Sequence, residues 1–395
     1  MHYYRTRHRL YCALYLRTIV QRFSGTTFVG NMAALPTKIG WVGLGIMGLP
    51  MARNLLTKMG SDTQLFVYDV VQDSIDTLVN EGQGRVHACG SSKEVADKSV
   101  RFMTPSEIRQ KANRLIAQDI ILSMVPEGSH VRAVYLTEHE GVLASDIGNK
   151  ILIDCSTIDT GTSLAVRDAC LEKHPNARFY DAPVSGGAIG AEKGTLTFML
   201  GCAKNDTNIT LLTTLLNLMG SNIFPCGGPS LGLTAKLCNN YCSGLIAIAV
   251  SEAMNIGMSS GMDPRILANI FHTSTAQSAI LDDWSPVPGL CPEAPASKDY
   301  KGGFRVQLMK KDFGLAVDTA ERVGVRLALG GEGLRVYEEA SGDPRCRDRD
   351  SRVVYRYLGG NESWRKDFPE EVEMKRDETR RLLKLAREQQ QQQQK

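Results

Sequence analysis

The stretch KIGWVGLGIMGLPMARNLLTKMG, Lys38 to Gly60, constrains the fold more than any other part of the chain. An apolar run of strand type ends in GLGIMG, a G-x-G-x-x-G pattern, and passes directly into a helical pattern. Each glycine has a use in that setting. Gly43 permits a tight turn, Gly45 lets backbone approach a pyrophosphate, and Gly48 lets helix and strand pack closely. The anion then rests on the helix N-terminus, where free N–H groups and the positive end of the dipole favour it. Gly43, Leu44, Gly45, Ile46, Met47 and Gly48 are therefore the candidate cofactor-binding loop. Asp69 closes the next apolar run, QLFVYD, where a carboxylate accepts hydrogen bonds from ribose hydroxyls and repels a 2′-phosphate. The expected cofactor is NAD rather than NADP.

Beyond this unit the short apolar runs DIILSMVP, KILIDCST and ARFYDAP alternate with helical segments, which predicts a parallel sheet covered on both faces. After TLTFMLGC and NIFPCG the strand signals stop, and the periodicity from Pro229 to about Leu358 is mainly helical, broken by the Pro-rich loop SPVPGLCPEAPAS. The expected fold is α/β followed by all-α: a Rossmann-type domain over 38–228, joined by a long helix to a helical domain over 229–360. Residues 361–395 read as a charged tail ending in a glutamine run, and 100–118 as an atypical helix-like insert before a core strand.

Composition narrows the function classes. A formal net charge of +3 is too small to imply a nucleic-acid partner. The ten cysteines form no CxxC pair and no Cys/His cluster with zinc spacing, so they read as reduced thiols and no metal is expected; Cys238 and Cys242, one helical turn apart, read as packing residues. No apolar run approaches the length needed to span a bilayer, and no membrane partner is expected. Residues 1–37 carry five arginines and no acid among Ser, Thr, Tyr and Leu, the composition of a mitochondrial presequence.

The run GLTAKLCNNYCSGLIAIA poses a chemical question, because its spacing is that of a helix packed against other protein and yet it keeps Lys236. On residue type alone, a snorkelling surface lysine is the ordinary reading. Likewise, DAPVSGG offers the hydroxyl of Ser185 and the backbone amides of Gly186 and Gly187 to a small carboxylate, although a plain glycine turn fits equally well. His130, His139, His174 and His272 are isolated from any metal spacing or nucleophile, and DRDSRVVYR reads as a solvated turn.

The motifs GLGIMGLPMARNLL, DAPVSGGAIGAEKGTLTFMLG and GLTAKLCNN together resemble the signatures of the β-hydroxyacid dehydrogenases, in their usual order. PVPG at Pro286 to Gly289 and YKGGFRVQLMKKDFGLA at Tyr300 to Ala316 are similar to the branch that oxidises 3-hydroxyisobutyrate in mitochondrial valine breakdown. The likeness spans about Lys38 to Leu358. It implies an NAD-dependent oxidoreductase acting on a small hydroxy acid, and a homo-oligomer built on the helical domain. Lys236 then matches the family's general acid/base, Asn240 a substrate-fixing amide, and Ser185, Gly186 and Gly187 the substrate-binding turn. Val125, Pro126, Thr157 and Lys311 match positions beside the cofactor. His130 departs from the asparagine often found there. An ammonium near its usual pKa of about 10.4 is a poor base, so burial and a like charge must pull it down. Lys311 can supply that charge, and Asp312 acts in the opposite sense. Siblings that reduce tartronate, succinic or glyoxylic semialdehyde, and a non-catalytic dinucleotide-binding protein, are the competing readings.

Overall fold

The computed structural model describes residues 35–99 and 119–369. The expected leader up to residue 34, the insert at 100–118 and the chain from 370 onward lie outside the described residues. Six parallel strands, β1 (Lys38–Val42), β2 (Gln64–Tyr68), β3 (Val86–Ala88), β4 (Ile120–Ser123), β5 (Ile151–Asp154) and β6 (Arg178–Asp181), form one sheet in the order β3-β2-β1-β4-β5-β6. Helices α1 (Gly48–Lys58), α2 (Gln72–Glu81), α3 (Ser92–Lys98), α4 (Gly128–Leu136) and α5 (Thr160–Lys173) are connected through it. This is the doubly wound order whose direction reverses between β1 and β4, the place where such sheets bind ligands.

The continuous apolar runs follow from burial of both sheet faces. Ile39, Trp41, Leu65, Val67, Ile151 and Ile153 pack into one cluster, while their neighbours Phe66, Ile121, Leu152 and Phe179 pack into the other. Beyond β6 the chain adds β7 (Val184–Ser185), α6 (Gly187–Lys193), β8 (Leu196–Leu200), α7 (Ile209–Leu216) and β9 (Gly220–Pro225). β7 runs antiparallel to β8 and β9 parallel to it, giving a small second sheet. β3 and β7 gave no strand signal because two or three residues are too few to show a period.

The α/β half is followed by a helical half, as expected. Helix α8 (Leu231–Ser259) is 29 residues long and is the axis around which α9 (Pro264–His272), α10 (Ala279–Asp282), α11 (Val306–Arg322) and α12 (Gly330–Gly342) gather. Gly244 lets α8 approach α11 and α12 closely, since a Cβ there would sit 3.0 Å from Phe313 and 3.2 Å from Tyr337. By length and composition α8 could cross a bilayer, which the sequence reading did not anticipate. Its length is instead that of a core helix: Ala247, Ile248, Val250 and Met254 are buried among its neighbours, and Lys236 and Asn240 interrupt its apolar face.

Three local expectations are corrected. Cys238 and Cys242 are exposed rather than packed, because Lys236, Leu237 and Asn240 take the inward face of that turn. DRDSRVVYR is not solvated: Asp350 is fully buried, accepts from the Phe304 and Arg352 amides, and leads into buried Val353, Val354 and Tyr355. The region counted as tail begins with packed residues, since Trp364 is buried, donates to the Pro288 carbonyl at 2.7 Å and is followed by Phe368 against the same cluster.

Candidate active site

At the end of β1 the glycine-rich loop turns sharply. Gly43 has φ +94°, and a Cβ there would lie 2.3 Å from the Met124 carbonyl oxygen, so turn and packing both require glycine. Gly48 meets the Gly43 carbonyl at 2.0 Å from its would-be Cβ, which fixes α1 against the turn. Gly45, in contrast, faces open space, and Ile46 is exposed while Leu44 is buried in the core. No side chain caps the N-terminus of α1 and its first turn holds no acid, leaving its amides available to an anion. Asp69 accepts from the Leu44 amide through Oδ2 and from the Val71 amide through Oδ1, so it braces the loop and retains lone pairs for a ribose. The loop, the uncapped helix and the acid together fit a dinucleotide. A cleft between Leu35, Lys58, Asp62 and Leu218 opens at the opposite ends of β1 and β2, and holds none of these residues.

The ends of β4 and β5 are joined underneath by a buried carboxylate. Asp154 Oδ1 accepts from the hydroxyls of Ser123 at 2.8 Å and Ser156 at 2.6 Å, and the Ser156 hydroxyl in turn accepts from the Val125 amide at 2.9 Å. Tyr135 and Ser123 share a further hydrogen bond at 2.8 Å. Asp154 Oδ2 is buried without a hydrogen-bond partner among the described residues, and burial pushes this carboxyl up to about 6 against the opposing effect of its hydrogen bonds. Val125, Pro126 and Thr157 follow these strand ends and form one wall.

The helical domain reaches that wall through α11. Lys311 donates from Nζ to the Thr157 carbonyl at 2.6 Å and to the Pro126 carbonyl at 3.0 Å, and lies 3.2 Å from Asp312 Oδ1. Asp312 is buried, and its Oδ2 accepts from Asn240 Nδ2 at 2.6 Å; Asn240 Oδ1 accepts from Asn239 Nδ2 at 3.1 Å. Lys236 is 7% exposed and stands one turn before Asn240 on α8. Burial pulls its ammonium below the ordinary lysine range; the Asp312 charge works against this and Lys311 adds to it. No hydrogen bond holds the Lys236 ammonium among the described residues, in contrast to Lys311.

Ser185 ends β7, Gly186 follows with φ +133°, and Gly187 with φ +62° opens α6. A Cβ on Gly187 would meet nothing within 4 Å, so the turn is open on that side. No hydrogen bond ties it to Lys236 or Asn240 among the described residues. The four histidines stay outside the cluster: His130 and His139 are exposed, His174 lies near Asp146, and His272 pairs with Asp282 at 2.8 Å.

Sequence reasoning missed Asp154, Ser156 and Asp181. The signal for the two acids was a carboxylate closing an apolar strand, in ILIDCS and RFYDAP, where an acid is ordinarily exposed and here both are buried.

Comparison with known proteins places this geometry. The domain family described as the NAD binding domain of 6-phosphogluconate dehydrogenase matches residues 38–228. The family described as NAD-binding of NADP-dependent 3-hydroxyisobutyrate dehydrogenase matches residues 231–358. The chain is 39% identical to a probable mitochondrial 3-hydroxyisobutyrate dehydrogenase of Dictyostelium discoideum, over 82% of this chain and 91% of that protein. It is 35% identical to an NAD-dependent L-serine dehydrogenase of Pseudomonas aeruginosa, over 76% of this chain and 91% of that protein. Among solved structures, the Mycobacterium tuberculosis 3-hydroxyisobutyrate dehydrogenase with L-serine superposes with a TM-score of 0.69 at 29% identity, covering 82% of this chain and 99% of that one. The glycine loop, the two-domain order and these relatives agree: the chain belongs to the 3-hydroxyisobutyrate dehydrogenase family of oxidoreductases, with NAD as its cofactor.

Proposed function

We propose that the protein oxidises 3-hydroxyisobutyrate to methylmalonate semialdehyde, with Lys236 as general base. The observation that carries this is the buried Lys236 ammonium, pulled down in pKa, without a hydrogen bond among the described residues, and coupled by charge to Asp312 and Lys311 of the Asn240–Asp312–Lys311 cluster. Bound NAD supplies the acceptor for the hydride. The chain's own residues supply the rest. Neutral Lys236 takes the hydroxyl proton at Nζ as the carbon–hydrogen bond breaks and the carbonyl forms; in the reverse direction its ammonium returns that proton. Ser185, Gly186 and Gly187 offer a hydroxyl and amides to the carboxylate, and Asn240 fixes the substrate oxygen near the lysine. Lys311 closes the wall of Val125, Pro126 and Thr157, and Asp69 favours NAD over NADP by its negative charge.

L-Serine, the substrate in the name of one relative, has the same hydroxyl and carboxylate but carries an ammonium where 3-hydroxyisobutyrate carries a methyl. Lys311 already pairs with Asp312 and Asn240 donates to the same carboxylate, so a further cation would compete with Lys311 for that one acid. This favours the methyl compound. Mitochondrial valine breakdown suits that substrate, and it is supported by the Arg-rich, acid-free first 37 residues and by relatives named as mitochondrial. A homo-oligomer built on the helical domain belongs to the same reading. The test is NADH formation by the purified protein with 3-hydroxyisobutyrate, L-serine and the sibling hydroxy acids, with NAD and NADP in turn. Turnover of L-serine above 3-hydroxyisobutyrate would overturn the substrate assignment.

A further inference from the structure

Two buried acids lie side by side beneath the site. Asp154 and Asp181 end the neighbouring parallel strands β5 and β6, face each other in register, and are 1% and 2% exposed. Their bonds run in different directions. Asp154 holds Ser123 and Ser156, and through Ser156 the Val125 amide, so it governs the peptides that follow β4 and β5. Asp181 instead accepts from the Ser230 amide at 2.7 Å through Oδ1 and from the Leu233 amide at 2.9 Å through Oδ2. It thereby seats the first turn of α8, one turn before Lys236, on the sheet.

The surrounding residues are shaped for that seat. A Cβ on Gly201 would come 1.9 Å from Asp181 Oδ1, and a Cβ on Gly232 would lie 2.1 Å from the Met199 carbonyl and 2.8 Å from Asp181 Oδ2. Ser230 takes φ +65° to turn its amide inward, a conformation that a non-glycine residue adopts at a cost. The chain leaving Asp181 runs within four residues into Ser185, Gly186 and Gly187, so the acid that seats the helix of Lys236 lies at the root of the substrate turn.

We propose that Asp154 and Asp181 are paired positioning residues that divide the site, Asp154 holding the wall used by the cofactor and Asp181 setting the reach of Lys236 to the substrate turn. The proposal deepens the reading of Lys236 as base and rests on it. A misplacement of about 1 Å at a reacting group can cost about a hundredfold in rate, whereas one lost hydrogen bond to a charged group behind a binding wall costs about tenfold in affinity. The two acids should therefore leave different kinetic signatures.

The experiment compares Asp154→Asn and Asp181→Asn in the full chain by three measurements: NADH binding by fluorescence titration, kcat and KM with NAD, and hydrogen exchange of backbone peptides. Asp154→Asn is expected to weaken NADH binding about tenfold with kcat changed by less than about twofold, and to raise exchange around 123–126 and 155–158. Asp181→Asn is expected to leave NADH binding unchanged, to lower kcat by about tenfold to a hundredfold, and to raise exchange at 230–237. If Asp181→Asn fails to fold, Gly201→Ala, which displaces the carboxylate but keeps it, is expected to give the same pattern. Identical signatures from the two acids, or an unaltered kcat together with unaltered exchange at 230–237, would overturn the proposal. If the wild-type protein shows no turnover, the reading of Lys236 has failed, while exchange and NADH binding still decide whether the two acids act on separate segments.

Discussion

The Lys311 ammonium, carried by the helical domain, donates at 2.6 Å to the carbonyl of Thr157 at the end of β5 in the Rossmann domain. It also takes the Pro126 carbonyl at 3.0 Å, so a single side chain spans the segments that follow β4 and β5, of which β4 borders the switch point of the sheet. Replacing it with methionine keeps the stem and removes the tie. Lys311→Met is expected to raise the KM for NAD about tenfold, the effect of losing charge-assisted hydrogen bonds, and to lower thermal stability, because buried Asp312 loses its ion-pair partner. Steady-state rates and a melting curve check both parts.

Lys236→Met is expected to lower kcat by about a hundredfold to ten-thousandfold, the usual share of general acid–base catalysis. NADH binding should persist, because the glycine loop and Asp69 do not involve Lys236. Removing a buried ammonium that has no hydrogen bond among the described residues should leave stability unchanged or slightly raised. Fluorescence titration and chemical denaturation of the variant test these two statements separately from the rate.

The pH dependence has a definite sign. With Lys236 as the proposed base, oxidation requires its neutral form, so kcat/KM is expected to rise with pH through its titration, at a midpoint below the ordinary lysine value because of burial. Asp312 raises that midpoint and Lys311 lowers it. Asp312→Asn should move the limb to lower pH, and Lys311→Met to higher pH. Shifts in the same direction from both variants would contradict this arrangement of charge.

Asp154 makes a prediction about stability. Its carboxyl is raised by burial from the ordinary 3.8 to about 6, so the folded protein holds the proton more tightly than the unfolded chain does. The corresponding stabilisation is full below the ordinary value and is lost as pH rises through about 6. Asparagine does not titrate. The stability of the wild type relative to Asp154→Asn should therefore fall between about pH 4 and about pH 6, by something on the order of 3 kcal/mol, in denaturant unfolding followed across that range.

Asp69 braces the loop through the Leu44 amide, and in the proposed function its charge sets the preference for NAD. Asp69→Asn is expected to raise the KM for NAD about tenfold and to narrow the margin over NADP, since the charge that repels a 2′-phosphate is gone. Initial rates with the two cofactors measure that margin.

What the sequence determined by itself was whatever depends on neighbours along the chain. GLGIMG after an apolar run and before a helical one dictates turn, anion cradle and sheet, because Gly43, Gly45 and Gly48 act within a few residues of one another. Asp69 and the α/β-to-helical order are legible for the same reason, and the spacing of Lys236 and Asn240 already puts both on one face of α8. Tertiary structure alone decided which charges share a buried site. Asp312 faces Asn240 only because α11 packs across α8 at Gly244, and Lys311 meets Thr157 only because that packing brings the helical domain over the ends of β4 and β5. Asp154 and Asp181 look like ordinary strand-end acids until the register of β5 and β6 sets them side by side beneath the site. The energy of a buried charge depends on partners that the chain brings together from distant positions, and sequence spacing does not encode those distances.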